Sequence, residues 1–132
     1  MLKFGRHPET VRAEYSAKVN KERERRWATG TDIQIPGYGW VKMQGGPEDR
    51  ALISGLAQAA ETSIRLGIDQ PFYFTDRGNM THLLTPNQMI MTFLLGQQYL
   101  SDVHFAAVVL KARPYMVDDI ASDAVWPDVI QV

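Results

Sequence analysis

The chain has 132 residues, 45% of them apolar and 22% charged, with a formal net charge of −1 and no cysteine. That length suits a single domain, and the apolar share is enough to build a core. The near-neutral balance gives no global reason to expect nucleic acid or a membrane surface, and the missing thiols exclude disulfides, thiolate metal sites and cysteine catalysis.

Charge is unevenly placed along the chain. Residues 1–27 carry eight Lys or Arg against four Glu, whereas residues 114–132 carry Asp118, Asp119, Asp123 and Asp128 and no base. Ends of opposite sign can pair within a subunit or head-to-tail between subunits. The opening "MLKFGRHPET" has no long apolar run of the secretory kind. The most apolar stretch, Met89 to Leu110, is interrupted by Gln97, Gln98, Ser101, Asp102 and His104, so it is not read as a membrane span.

The first element predicted is a helix from Pro8 to about Ala28. Pro8 suits a first turn, and Glu14–Lys18 and Glu22–Arg26 are favourable pairs four residues apart. Its apolar seam is narrow, with Val11, Tyr15 and Val19 and then nothing until Trp27. A seam of that width implies a solvated helix or an oligomerising stalk, and places Tyr15, Val19 and Trp27 near a subunit interface. Gly30 closes the helix. "DIQI" and "WVKMQ" around "PGYG" then read as a β-hairpin.

"GGPEDRALISGLAQAA" raises the question of a phosphate-binding turn. It lacks both the Gly spacing of a nucleotide loop and its Lys, and Glu48 and Asp49 already occupy the positive helix end. It is read as a helix start. Leu52, Ile53, Leu56, Ala57, Ala60 and Ile64 form the apolar stripe of this helix, and Gly67 is its left-handed end residue. "PFYFT" and "MTHLL" around "DRGN" give a second hairpin. Thr85-Pro86-Asn87-Gln88 has a capping-box layout opening a third helix that runs to about Arg113.

Met89, Phe93, Gly96, Leu100, Val103, Ala107 and Leu110 repeat every 3.5 residues in that helix. A further row of Ile90, Leu94, Leu95, Phe105, Ala106 and Val109 implies cover on more than one side, with a second subunit as one source of it. Leu56, Ile64, Phe93, Leu100 and Val103 are the expected core. After a short possible helix the last segment loses periodicity, with Val125, Trp126, Val129 and Ile130 set to dock on something. The order defines an α+β fold of three helices packed with two β-hairpins and a long C-terminal helix. It divides into a charged lead helix (1–29), an α+β domain (30–113) and an acidic tail (114–132).

Overt chemistry is sparse. His7, His82 and His104 show no metal-ligand spacing, and His82 and His104 are read as hydrogen-bonded structural residues. The serines lack a nucleophile elbow, and neither "DRGN" nor "DDIASD" has the ligand pattern of a calcium loop. Tyr38 and Trp40, in "PGYGW", either pack the hairpin against a helix or serve as a carbohydrate or partner contact. No catalytic, cofactor-binding or metal-ligating residue is expected.

The ordered set "ERERRWATG", "GYGWVKMQGGPEDRALISGLAQAA", "PFYFTDRGNMTHLLTPNQM" and a helix ending "VLKAR" resembles an uncharacterised domain family of tailed bacteriophages. Members stand at the C-terminal end of tail, tail-fibre or baseplate-associated proteins, usually after a longer fibre segment. Asp49, Arg50, Ile53 and Gly55 fit its first helix signature loosely, and Asp76, Asn79, Leu84, Thr85, Gln88 and Met89 fit its second closely. The likeness covers about residues 20 to 113; the acidic tail is an addition. It implies a non-enzymatic structural or assembly role through protein–protein contacts, and it carries no catalytic residue. The expected partners are further copies of the chain and other phage tail proteins. The expected location is the virion tail, or the bacterial cytoplasm when the chain is expressed from a prophage. The alternatives are a small enzyme, or a regulatory or nucleic-acid-binding protein using the basic first helix.

Overall fold

The longest run of helix-forming sequence sets the plan. In the computed structural model, which describes residues 7–126, it becomes α3, Pro86–Ala112. Its 27 residues reach about 40 Å at 1.5 Å per residue. Before it come α1 (Pro8–Thr29), β1 (Thr31–Ile35), β2 (Gly39–Met43), α2 (Pro47–Arg65), β3 (Phe72–Thr75) and β4 (Thr81–Leu84). The strands form two separate antiparallel hairpins, β1–β2 and β3–β4. The α+β class is present as expected, with the three helices and two hairpins read from the sequence.

Each hairpin alternates as a half-buried sheet must. Ile33 opposes Val41 in the first hairpin, and Phe74 opposes His82 in the second. Ile33, Ile35, Val41, Met43, Phe72, Phe74 and Leu84 bury their side chains with Ile53 and Ala60 of α2 and Met89 and Leu95 of α3. A second cluster lies along the other half of α3, where Tyr99, Val103, Ala106, Ala107 and Leu110 meet Tyr15 and Val19 of α1 and Trp126 of the tail. α3 is covered by different elements at its two ends, which is why no single helical stripe describes it.

That division corrects the expected core. Val103 is buried, but Leu56, Phe93 and Leu100 are half-buried, and Ile64 is 46% exposed. On α2 the buried row is Ile53, Ala57, Ala60 and Ser63, with Leu52 turned outward. On α3, Thr92, Leu95 and Tyr99 hold the inner positions expected for Phe93, Gly96 and Leu100. Thr92 is tolerated there because its hydroxyl donates to the Gln88 carbonyl at 2.8 Å.

Local chemistry fixes the element ends. Gly30 closes α1 at φ +76°, and a Cβ there would lie 1.7 Å from the Met43 carbonyl oxygen, so only glycine lets β1 start against the end of β2. Pro47, Glu48 and Asp49 open α2, and Gly67 follows it with φ +71°. At the start of α3 the Thr85 hydroxyl accepts from the Gln88 N–H at 3.2 Å, while Gln88 Oε1 accepts from the Thr85 N–H at 3.0 Å. Thr85→Ala removes the first of these bonds and is expected to cost about 1 kcal/mol. A urea midpoint equal to that of the native chain contradicts this.

Residues 114–126 carry bends and turns but no helix, so the short helix expected there is not formed. Trp126 is nonetheless 4% exposed and its indole N–H donates to the Ile120 carbonyl at 2.7 Å. Val125 packs beside it. Val129 and Ile130 lie outside the described residues.

Candidate functional site

The densest polar arrangement joins the two hairpins. The β3–β4 turn is held by Asp76, which accepts from the Met80 N–H at 3.1 Å through Oδ1 and from the Lys42 N–H at 3.3 Å through Oδ2. The same Oδ2 lies 2.7 Å from His82 Nε2, and His82 Nδ1 lies 2.6 Å from the Tyr38 hydroxyl. The side chains of Asp76 and His82 are 5% and 3% exposed. The His82 ring stacks near Phe74 at 23° and meets the Tyr38 ring edge-on at 71°.

Burial alone would raise the Asp76 carboxyl. The hydrogen bonds from His82 and from the Met80 and Lys42 amides outweigh it and hold the group below its ordinary value. An ionised carboxylate only accepts, so Nε2 of His82 carries the proton and, in the neutral ring, Nδ1 accepts from the Tyr38 O–H. The result is a relay from a buried carboxylate to a phenol whose residue is 39% exposed. His82 is the hydrogen-bonded structural histidine expected. The sequence pattern does not disclose the relay, although Asp76 opens the predicted turn of the second hairpin and His82 lies on the strand that follows it.

The first helix does not sit as expected. Tyr15 and Val19, assigned to a subunit interface, are 5% and 0% exposed, enclosed by α3 and the tail of their own chain. Trp27 is half-buried beside them and its indole N–H donates to the Leu100 carbonyl at 3.1 Å. The seam at Tyr15 and Val19 is filled within the chain, so these two residues are not free to form the stalk contact expected of α1.

The basic residues of α1 serve the same packing. Arg12 donates to the Lys111 and Arg113 carbonyls at the open end of α3. Arg25 and Arg26 pair with buried Glu22, and Arg26 also reaches Asp123 at 3.0 Å. The hydrogen bond from Arg25, then the charges of Arg25 and Arg26, lower the Glu22 carboxyl against the opposing effect of burial. The complementary ends anticipated from the sequence thus pair inside one chain, through Arg26 and Asp123.

His104, expected to be hydrogen-bonded and structural, is exposed. Its ring stacks near Trp27 with centroids 6.4 Å apart, and its Nδ1 lies 3.4 Å from an Arg23 nitrogen.

The outer hairpin faces are less polar than a solvated face normally is. Tyr73 and Leu83 oppose each other in register and are 67% and 50% exposed, and Trp40 is 64% exposed. Among the described residues no group of three or more His, Asp or Glu is placed to hold a metal ion, and no helix is long and apolar enough to cross a membrane.

Residues 10–130 match the family described as Domain of unknown function (DUF4376). The match runs through the lead helix, the hairpins and the tail alike. No curated protein and no solved structure matches the chain.

Proposed function

The chain belongs to the DUF4376 family, and from that premise we propose that it is a non-enzymatic structural or assembly module of a phage or prophage tail, working through protein–protein contacts. The observation that carries this reading is the bare hairpin face. Tyr73 and Leu83 stand side by side and outward, where an antiparallel hairpin facing only water alternates to polar residues. Large aromatic side chains offered at a surface are the residues that anchor protein contacts. The likeness of "PFYFTDRGNMTHLLTPNQM" to tailed-phage domains supports a tail component as the partner, together with further copies of the chain.

Immunogold labelling of particles from the organism that encodes the chain tests the tail assignment, with deletion of its gene as the second arm. Gold on tails, or particles with incomplete tails in the deletion, is the expected result. Unlabelled particles with complete, infectious tails in the deletion overturn it.

One observation favours a second reading, a small enzyme that moves a proton. Tyr38, His82 and Asp76 form a continuous donor–acceptor relay ending at a phenol, the layout in which a histidine acts as base for a hydroxyl. Turnover that disappears in Tyr38→Phe while the fold persists would transfer the assignment to this reading. A nucleic-acid role through α1 has less support, because Arg12, Arg25 and Arg26 are engaged within the chain.

A further inference from the structure

Arg50 stands apart from most arginines in the molecule. Arg12, Arg25, Arg26 and Arg77 each reach carbonyl or carboxylate oxygens. Arg50, in the first turn of α2, is half-buried, its Nε is enclosed without a hydrogen-bond partner, and no carboxylate among the described residues reaches it. Glu48 and Asp49 share its turn but make no ion pair with it. What it meets is the Trp27 ring, with the guanidinium carbon 5.6 Å from the ring centroid. Arg23 lies 4.8 Å from the same centroid with its Nε enclosed, but its terminal nitrogen pairs with Glu24 at 3.0 Å, so of the two guanidiniums only Arg50 lacks a carboxylate. His104 completes the group from α3.

Three helices therefore bring two guanidiniums and an imidazole around one indole. A half-desolvated guanidinium facing no anion is an incomplete pair, and its planar fork matches a carboxylate in two parallel bonds. Apolar surface adjoins it: Arg50 borders a cavity of about 30 Å³ shared with Met43, Ile53, Phe93 and Leu100. A partner that fits supplies acidic groups and apolar side chains together.

We propose that the Arg23, Trp27, Arg50 and His104 cluster is the docking site for an acidic peptide segment of a partner protein, with Arg50 taking a carboxylate. The site is separate from the hairpin face, so its failure leaves the tail reading standing.

The probe is a fluorescein-labelled synthetic peptide of alternating glutamate and leucine, followed by anisotropy at low salt. A peptide with serine in place of glutamate and free inorganic phosphate serve as controls. The acidic peptide is expected to bind, to shift the Trp27 indole N–H resonance, and to weaken as salt rises. Arg50→Gln is expected to weaken it at least about tenfold, since a hydrogen bond to a charged group contributes about 1.5–3 kcal/mol. Arg50→Lys, which keeps the charge and loses the fork, is expected to fall between and serves where the glutamine variant does not fold. Equal binding of the serine peptide, an unmoved Trp27 resonance, or full affinity in both variants overturns the proposal. Displacement by phosphate as effectively as by peptide identifies a small-anion site and overturns it too. A doubling of mass that Arg50→Gln abolishes identifies a second copy as the occupant, with the same consequence.

Discussion

Leu110→Ala is expected to destabilise the fold by about 3 kcal/mol, within the range of roughly 2–5 kcal/mol for truncating a buried leucine. Leu110 is 1% exposed and sits where α3 meets Tyr15, Val19 and Trp126. Tyr15 ties the same point down, its hydroxyl donating to the Leu110 carbonyl at 3.4 Å and accepting from the Val117 N–H at 3.3 Å. With backbone bonds pinning both sides, the cluster has little freedom to collapse into the space left, which sets the cost above the lower limit. Ile64→Ala is the control. Ile64 belongs to the predicted stripe but is 46% exposed, so its loss is expected to stay within about 0.5 kcal/mol. Urea unfolding followed by circular dichroism measures both. A Leu110 variant no less stable than the Ile64 variant would show that α1 and the tail do not pack on α3.

The same experiment bears on the division into lead helix, domain and tail. Two clusters share α3 as a common wall, so α1 and Trp126 are built into the structure around the helix that also carries the hairpins. One cooperative transition is expected, with α1 melting together with the hairpins.

Local signals were readable where one residue decides one feature. Gly30, Thr85, Gln88 and Gly67 each impose a backbone conformation or a cap that needs no knowledge of the rest of the chain. The side on which an apolar residue lands was less readable. Ile64 and Ser63 are neighbours on one turn, and only the direction from which α3 approaches decides which is inside. The seam of α1 looked too thin to bury because its cover comes from residues about 90 places away, among them Leu110, and from a tail with no periodicity. Arg26 was readable as the partner of Glu22 four residues earlier, but its second partner, Asp123, is identifiable only once the ends meet. The Tyr38–His82–Asp76 relay needed two hairpins in contact, and the sequence showed each hairpin separately.

That relay gives the clearest acid dependence. Asp76→Asn leaves one acceptor oxygen where the carboxylate used two, with three donors, from Met80, Lys42 and His82, directed at them. The amide also offers N–H groups that clash with any of these donors they face. Because the site is buried, the expected cost near neutral pH is about 3 kcal/mol, the scale of losing one partner of a buried pair. The pH profile follows from the direction of the shift. The folded carboxyl titrates below the unfolded value of about 3.9, so its contribution is fully present above that value and is lost as pH falls through the folded one. The native chain should therefore converge on the variant below about pH 4, whereas the gap stays constant from there towards neutrality as far as this carboxyl determines it. Glu22 is also held low by its arginines, but it slopes the acid limb of both proteins alike and cancels in the difference. Urea midpoints of the two chains across the acid range decide the matter: a gap that stays open at the lowest pH means that Asp76 stabilises the turn by shape rather than by charge.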